Sequence, residues 1–367
     1  MERIPIALST QALDGGGSET QLRQTAMALD RERFDVHVVY YRTNDERHQE
    51  LTKSGVEAQY FPLNSFASPQ TLKVGNALRT YLKQHNIKLL HAFDNPSTIF
   101  AIPCAKLAGV PVRLSSQRGH PHLYPPTYRK LQRLSETLAD GIVVNAEALQ
   151  NHLIREEGMK PDRIRFCPNG LDTRRYHFSE RDPSRASITI GCIARQRPEK
   201  HLPFLVDAFA KMRRPGMKLM LVGSGPDEEA IRNRVAANNI ASDVMLVPQT
   251  PDVPKYMSEI DIFVLCSESE GISNSLLEAM ASGATVVGSK VPGTRELIRE
   301  GVNGFLFEFN NAQDLSNKIL RLVDDPALRQ SVAASASNWV RQNMSVEASA
   351  AKMGAIYDEF LARRKLR

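Results

Sequence analysis

The stretch "DIFVLCSESEGISNSLLEAMASGATVV", residues 261–287, decides how this chain is to be read. It opens on a short β-rich run, "DIFVLCS", and passes through a polar loop. It continues as "SNSLLEAMASG", whose apolar residues recur at helical spacing, and Gly283 stands where a helix would stop. "ATVV" then starts another β-rich run. A strand, a helix and a second strand in this order predict a parallel pair joined by a crossover helix.

Working outward, the same order recurs. Upstream lie the strand "ITIGCIAR", the helix "HLPFLVDAFAKMR", the strand "MKLMLVG", the helix "PDEEAIRNRVAANN" and the strand "DVMLVP". The first half repeats the pattern from "IPIALST" through "FDVHVVYY", "IKLLHAF" and "VPVRLSSQ" to "GIVVNA", with amphipathic segments between. Strands alternating with helices predict parallel sheets covered on both faces. Residues 177–187, "HFSERDPSRAS", are polar and turn-rich, and predict a linker. The expected fold is α/β, with Rossmann-like doubly wound domains at 1–180 and 181–345 facing a central cleft. The last helical segment, about 346–367, is expected to pack back on the first domain. A break near Pro326 divides the helical stretch before it.

The loop and helix at 267–283 carry candidate chemistry. Ser273–Ser275 stand at the helix start, where backbone N–H groups lack intrahelical partners and the helix dipole favours an anion. Glu270 precedes that end, and Glu278 lies four residues after Asn274. A ligand with a central diphosphate could place hydroxyls against both carboxylates, and a nucleotide sugar has that shape. An ordinary helix start with acidic residues favouring its dipole would show the same pattern.

Three further features bear on this choice. Arg195 and Lys200 occupy the strand-to-helix loop "ARQRPEKH", where two cations can neutralise a diphosphate; two solvated loop charges are the alternative. Gly223 and Gly225 in "LVGSGPDEE" permit a tight turn and close backbone approach to a ligand. "DGGGSE" after the first strand does the same, or is a plain turn, and matches neither a dinucleotide fingerprint nor a Walker motif.

Composition narrows the classes. The chain has 367 residues, enough for two domains, and its 42% hydrophobic and 24% charged residues suit a globular protein. Met1–Thr10 reads as a first strand and not as a leader, and no apolar run approaches the ~18 residues of a membrane span. A cytoplasmic protein is expected. The net charge of +6 suits anionic ligands or a membrane surface, while no nucleic-acid motif accompanies it. Cys104, Cys167, Cys192 and Cys266 form no C-x-x-C pair and read as buried thiols. His120 and His122 lack neighbouring carboxylates or cysteines for a metal site.

Taken in order, "GGGSE", "PNGLD" at 168–172, Arg195 with Lys200, "LVGSGP", and Glu270 with Glu278 followed by "EAMASGATVVGSKVPGTRELIREGVNGFLF" resemble glycosyltransferase family 4, the retaining GT-B enzymes. The resemblance is strong over 188–310 and looser over 1–180. It implies that Arg195 and Lys200 hold the donor diphosphate. Glu270 would contact donor-sugar hydroxyls and Glu278 the ribose, with the amides of Gly271, Ile272, Ser273, Asn274 and Ser275 as a cradle. Gly16 and Gly17 would close on the donor from the first domain. Gly223 joins the donor set, and Thr250 falls where the family meets the base, although Pro248 stands there where glycine is common. His120, with Arg118 as competitor, falls at the first-domain catalytic position.

The resemblance therefore implies a retaining, metal-independent hexosyltransferase. Its donor would be a nucleotide diphosphate sugar, UDP-sugar favoured. Its acceptor would be a saccharide or lipid-linked saccharide in bacterial polysaccharide or glycolipid synthesis. "PTYRKLQRL" suits a peripheral membrane encounter or an ordinary amphipathic helix. A non-catalytic sugar-nucleotide-binding subunit and a GT-B UDP-sugar epimerase remain as alternatives.

Overall fold

The computed structural model describes residues 3–14, 16–42, 45–63, 69–119, 125–182 and 187–366. The chain forms two compact units: Met1–Gly170 with Val346–Arg367, and Leu171–Ser345.

The first unit runs β1 (Ile4–Thr10), α1 (Gly17–Ala28), β2 (Phe34–Tyr40), α2 (Asp45–Lys53), β3 (Glu57–Tyr60), α3 (Gln70–Gln84) and β4 (Leu89–Ala92). It continues through α4 (Asn95–Ala108), β5 (Val112–Gln117), α5 (Pro126–Glu136), β6 (Gly141–Val144), α6 (Glu147–Arg155) and β7 (Ile164–Phe166). The sheet order is β3-β2-β1-β4-β5-β6-β7, all parallel. Strand periodicity splits its core in two. Ile6, Leu8, Val36 and Val38 pack on one face, and Ala7, Val39 and Leu90 on the other. Both faces are therefore buried, as a parallel sheet requires. The C-terminal helix Val346–Arg363 (α14) belongs here. Its Tyr357 hydroxyl lies 2.8 Å from His91 Nδ1, and the Tyr357 ring meets Phe34 edge-on at 6.0 Å.

The second unit runs β8 (Ile188–Ile193), α7 (Leu202–Met212), β9 (Met217–Val222), α8 (Glu228–Ala237), β10 (Val244–Val247), α9 (Val253–Glu259) and β11 (Ile262–Leu265). Then come α10 (Asn274–Ser282), β12 (Thr285–Ser289), α11 (Pro292–Leu297), β13 (Phe305–Phe307), α12 (Ala312–Asp324) and α13 (Pro326–Asn343). The order is β10-β9-β8-β11-β12-β13, again parallel. In each sheet the chain winds outward from its first strand, then reverses. The reversal puts a switch point between β1 and β4, and another between β8 and β11, where α/β sheets bind ligands.

The boundary differs from the one read in the sequence. Described residues of the supposed linker are tied into the second unit. Arg181 is buried and donates from Nε to Ile260 O at 3.2 Å, while Ser179 N donates to Ser282 O at 3.3 Å. A polar stretch looks solvated in sequence, yet a guanidinium can be buried wherever backbone carbonyls receive it. All four cysteines are free and buried. Among the described residues, no helix is long and apolar enough to cross a membrane.

Candidate active site

The loops leaving β8 and β11 meet at the second switch point. Lys200 closes the short 3-10 turn Pro198–Lys200 after β8, and Glu270 lies in the loop after β11. Lys200 Nζ sits 2.5 Å from Glu270 Oε1. Ser267 Oγ donates to the same oxygen at 2.6 Å, and Glu268 N donates to Glu199 O at 2.9 Å. Both side-chain donors fall on Oε1; no hydrogen bond to Oε2 occurs among the described residues. Burial opposes the charge on Lys200, but the adjacent Glu270 carboxylate outweighs it and raises the ammonium above its ordinary pKa.

Helix α10 begins beside this pair. Ser273 is its N-cap and accepts weakly from Leu276 N at 3.4 Å. Asn274 and Ser275 open the helix, where amides point out of the helix end and the dipole is positive. Gly271 and Ile272 are buried in the turn before it. Glu278 lies one turn further along, hydrogen-bonded to Tyr176. Burial pushes its carboxyl up to about 7, while the Tyr176 hydroxyl and the Arg175 charge oppose that rise.

Glycines hold both loops in place by close backbone contact. A Cβ on Gly293 would lie 1.7 Å from Gly271 O and 2.4 Å from Glu270 O, so the start of α11 clasps the Glu270 loop. A Cβ on Gly223, whose φ is +136°, would lie 2.0 Å from Ala194 O, and one on Gly225 2.2 Å from Gln196 O. These glycines let the β9–α8 turn press against the loop that carries Arg195 and Lys200.

Arg195 itself is exposed and makes no ion pair among the described residues. Thr250 lies beyond the end of β10, half-buried, and its Oγ1 accepts from Asp252 N at 3.1 Å. Residues at these strand ends thus supply two cations, a positive helix end and two carboxylates, a set suited to a polyanion flanked by hydroxyls.

In the first unit, Gly16 caps α1 and Gly17 begins it. His120 lies outside the described residues. Arg118 donates to Asn169 Oδ1 at 2.9 Å and sits 4.8 Å over the Phe93 ring, with burial lowering its pKa to about 10.

Three contributors escape a reading of the sequence. Ser267 orients Glu270 from three residues upstream, a signal present in the sequence but too common to act on. Tyr176 faces Glu278 across about a hundred positions of chain. Gln196 is buried and donates from Nε2 to Gly223 O at 2.8 Å, while its Oε1 has no hydrogen-bond partner among the described residues.

Comparison with known proteins identifies the family. Residues 15–175 match the family described as "Glycosyltransferase Family 4", and residues 175–339 the one described as "Glycosyl transferases group 1". The chain belongs to this glycosyltransferase family. It is 25% identical to N-acetyl-alpha-D-glucosaminyl L-malate synthase of Bacillus anthracis, over 80% of each chain. It is also 25% identical to the UDP-Gal:alpha-D-GlcNAc-diphosphoundecaprenol alpha-1,3-galactosyltransferase of Escherichia coli, covering 69% of this chain and 70% of that protein. The crystal structure of Anabaena HepE with UDP and glucose superposes with a TM-score of 0.86, at 21% identity, over 97% of this chain and 100% of that one. The fold is GT-B.

Proposed function

We propose that this glycosyltransferase moves a hexosyl group from a nucleotide diphosphate sugar, UDP-sugar favoured, to an acceptor hydroxyl with retention at the anomeric carbon. The observation that carries the reading is the Lys200–Glu270 pair at the β8/β11 switch point, beside the start of α10. Lys200 and Arg195 neutralise the diphosphate, and the amides of residues 271–275 cradle it. Glu270 Oε2 accepts from donor-sugar hydroxyls while Oε1 stays with Lys200 and Ser267. Glu278 accepts from the ribose, and Thr250 lies towards the base.

In the reaction, the bond from the anomeric carbon to the diphosphate oxygen breaks. The acceptor oxygen bonds the same face of that carbon, and its proton passes to the leaving diphosphate. With two cations on the phosphates, no divalent metal is required. The UDP-bound HepE structure and the lipid-linked substrate in the E. coli relative's name support the donor and a lipid-linked acceptor. A peripheral membrane contact fits α5, which exposes Leu131, Leu134 and Lys130.

The test is a thermal-shift panel of UDP-, GDP- and ADP-sugars, followed by transfer to a diphosphoundecaprenol-linked saccharide in EDTA. UDP-sugars should stabilise the chain most, and NMR should show the donor's anomeric configuration in the product. Conversion of the donor to an epimer without acceptor would replace transfer by epimerisation, and a strict need for magnesium or manganese would overturn the phosphate assignment.

A further inference from the structure

At the amino ends of the first-unit strands, away from the carboxyl ends considered above, five polar side chains converge. The convergence follows from periodicity. His37 and Glu57 are register partners on the parallel strands β2 and β3, so their side chains share a face. Asp35 lies two residues before His37, on the same face. Tyr81 and His85, one helical turn apart at the end of α3, come from the helix side.

The distances define a site. Glu57 Oε2 lies 3.6 Å from His37 Nδ1, and Glu57 Oε1 lies 3.8 Å from His85 Nε2. One ligand atom from each of these three residues falls within 4.8 Å of the others. The Tyr81 hydroxyl stands 2.9 Å from Glu57 Oε1 and 2.8 Å from His37 Nδ1. His37 is 2% exposed, and its Nε2 faces Asp35 Oδ2 at 3.5 Å.

We propose that His37, Glu57 and His85 form a zinc site that ties β2, β3 and the end of α3 together. Two imidazole nitrogens and one carboxylate suit this ion, with water as a fourth ligand. His37 Nδ1, Glu57 and His85 Nε2 are the ligands. With Nδ1 on the metal, the Nε2–H donates to Asp35, the carboxylate–histidine–metal arrangement that fixes a ligand's tautomer. That arrangement gives the Asp35 contact with the buried Nε2 its role. On metal binding the Tyr81 hydroxyl gives up its 2.8 Å contact with His37 Nδ1, whose single lone pair goes to the ion, and stays outside the coordination shell as donor to Glu57. Glu57 and the half-buried His85 rotate to close the present spacing on the metal, while His37 is held by its burial. The site is independent of the donor-binding residues.

The experiment titrates chelator-stripped full-length protein with zinc chloride by calorimetry and follows cobalt(II) binding by visible absorption. One equivalent of zinc and a tetrahedral cobalt spectrum are expected. Glu57→Gln and His85→Ala, at positions that do not build the core, should each weaken zinc binding by about 100-fold or more, and Tyr81→Phe by about 10-fold. Lys200→Ala should leave it unchanged. Absence of saturable uptake by the parent protein, or equal uptake by Glu57→Gln and His85→Ala, overturns the proposal.

Discussion

The two switch points share a topology and differ in what their carboxylates do. Between β1 and β4, Asp94 is saturated by its own chain. Its Oδ2 accepts from Thr10 Oγ1 at 2.7 Å and Gln11 N at 2.6 Å, and its Oδ1 caps α4 through Ser97 N at 2.7 Å. Between β8 and β11, Glu270 accepts only on Oε1 among the described residues, and one of its two donors there is the ammonium of Lys200. The loop after the fourth strand carries a carboxylate in both units. In one it joins the strands and starts a helix; in the other it is held in position through one oxygen by a lysine and a serine. Topology provides the place, and local chemistry decides whether it is a site.

The sharpest test of this contrast pairs Lys200→Ala with Asp94→Ala. Lys200→Ala should lower the rate of transfer by ~10²-fold or more, because leaving-group stabilisation is commonly worth several kcal/mol. Asp94→Ala should act on stability instead, costing ~1–2 kcal/mol from the lost cap, read as a fall in Tm. If folded Asp94→Ala loses as much transfer as Lys200→Ala, the two carboxylates are not different in kind.

Within the second switch point, Glu270→Gln should lower kcat if the proposed contact to the sugar strengthens as charge develops at the anomeric carbon. Glu278→Gln should mainly raise the donor KM, by ~10–100-fold for a lost charged hydrogen bond. Steady-state kinetics on both variants decides it: equal damage to kcat, with KM unmoved in Glu278→Gln, would reverse the assigned donor orientation.

Two glycines extend the comparison to packing. Gly293→Ala would drive a methyl into Gly271 O and displace the Glu270 loop, costing ~1–3 kcal/mol and reducing transfer. Gly75, inside α3 of the first unit, has Cys104 Sγ at an ordinary 3.4 Å from its virtual Cβ. Gly75→Ala should stabilise the chain by ~0.5–1 kcal/mol, through the higher helix propensity of alanine. Melting curves of the two proteins should move in opposite directions.

A pH dependence tests Glu278 without any substitution. The folded Glu278 carboxyl titrates at about 7 against an ordinary 4.5, so between those values the folded chain holds more protons than the unfolded one. Stability from this group therefore falls as pH rises through that window. Donor KM should fall over the upper part of the same window, as the proposed ribose acceptor gains its charge. Glu278→Gln should flatten both slopes; if they persist in it, the titrating group lies elsewhere.

The parallel strands were legible because each carries a β-rich run bounded by a turn signal and separated by helical periodicity. The elements not anticipated are short or polar. β7 and β13 have three residues each, too few to show a period, and α2, "DERHQELTK", lacks an apolar stripe. The tie of Tyr176 and Arg181 to the second unit was hidden for another reason. A buried polar side chain is identified by its partner, and these partners are distant in sequence.

By itself, the sequence determined two parallel α/β sheets, the order of their longer strands and helices, and the residues at the start of α10. Those features depend on local periodicity, capping and loop residues, which act over a few positions. Tertiary structure alone decided that Lys200 meets Glu270 across 70 positions, that Tyr176 meets Glu278, and that His37, Glu57 and His85 share one corner of a sheet. Pairings of that kind arise from strand order and register. A one-residue shift of β3 against β2 would turn Glu57 to the opposite face, and no local signal in the chain reports that choice.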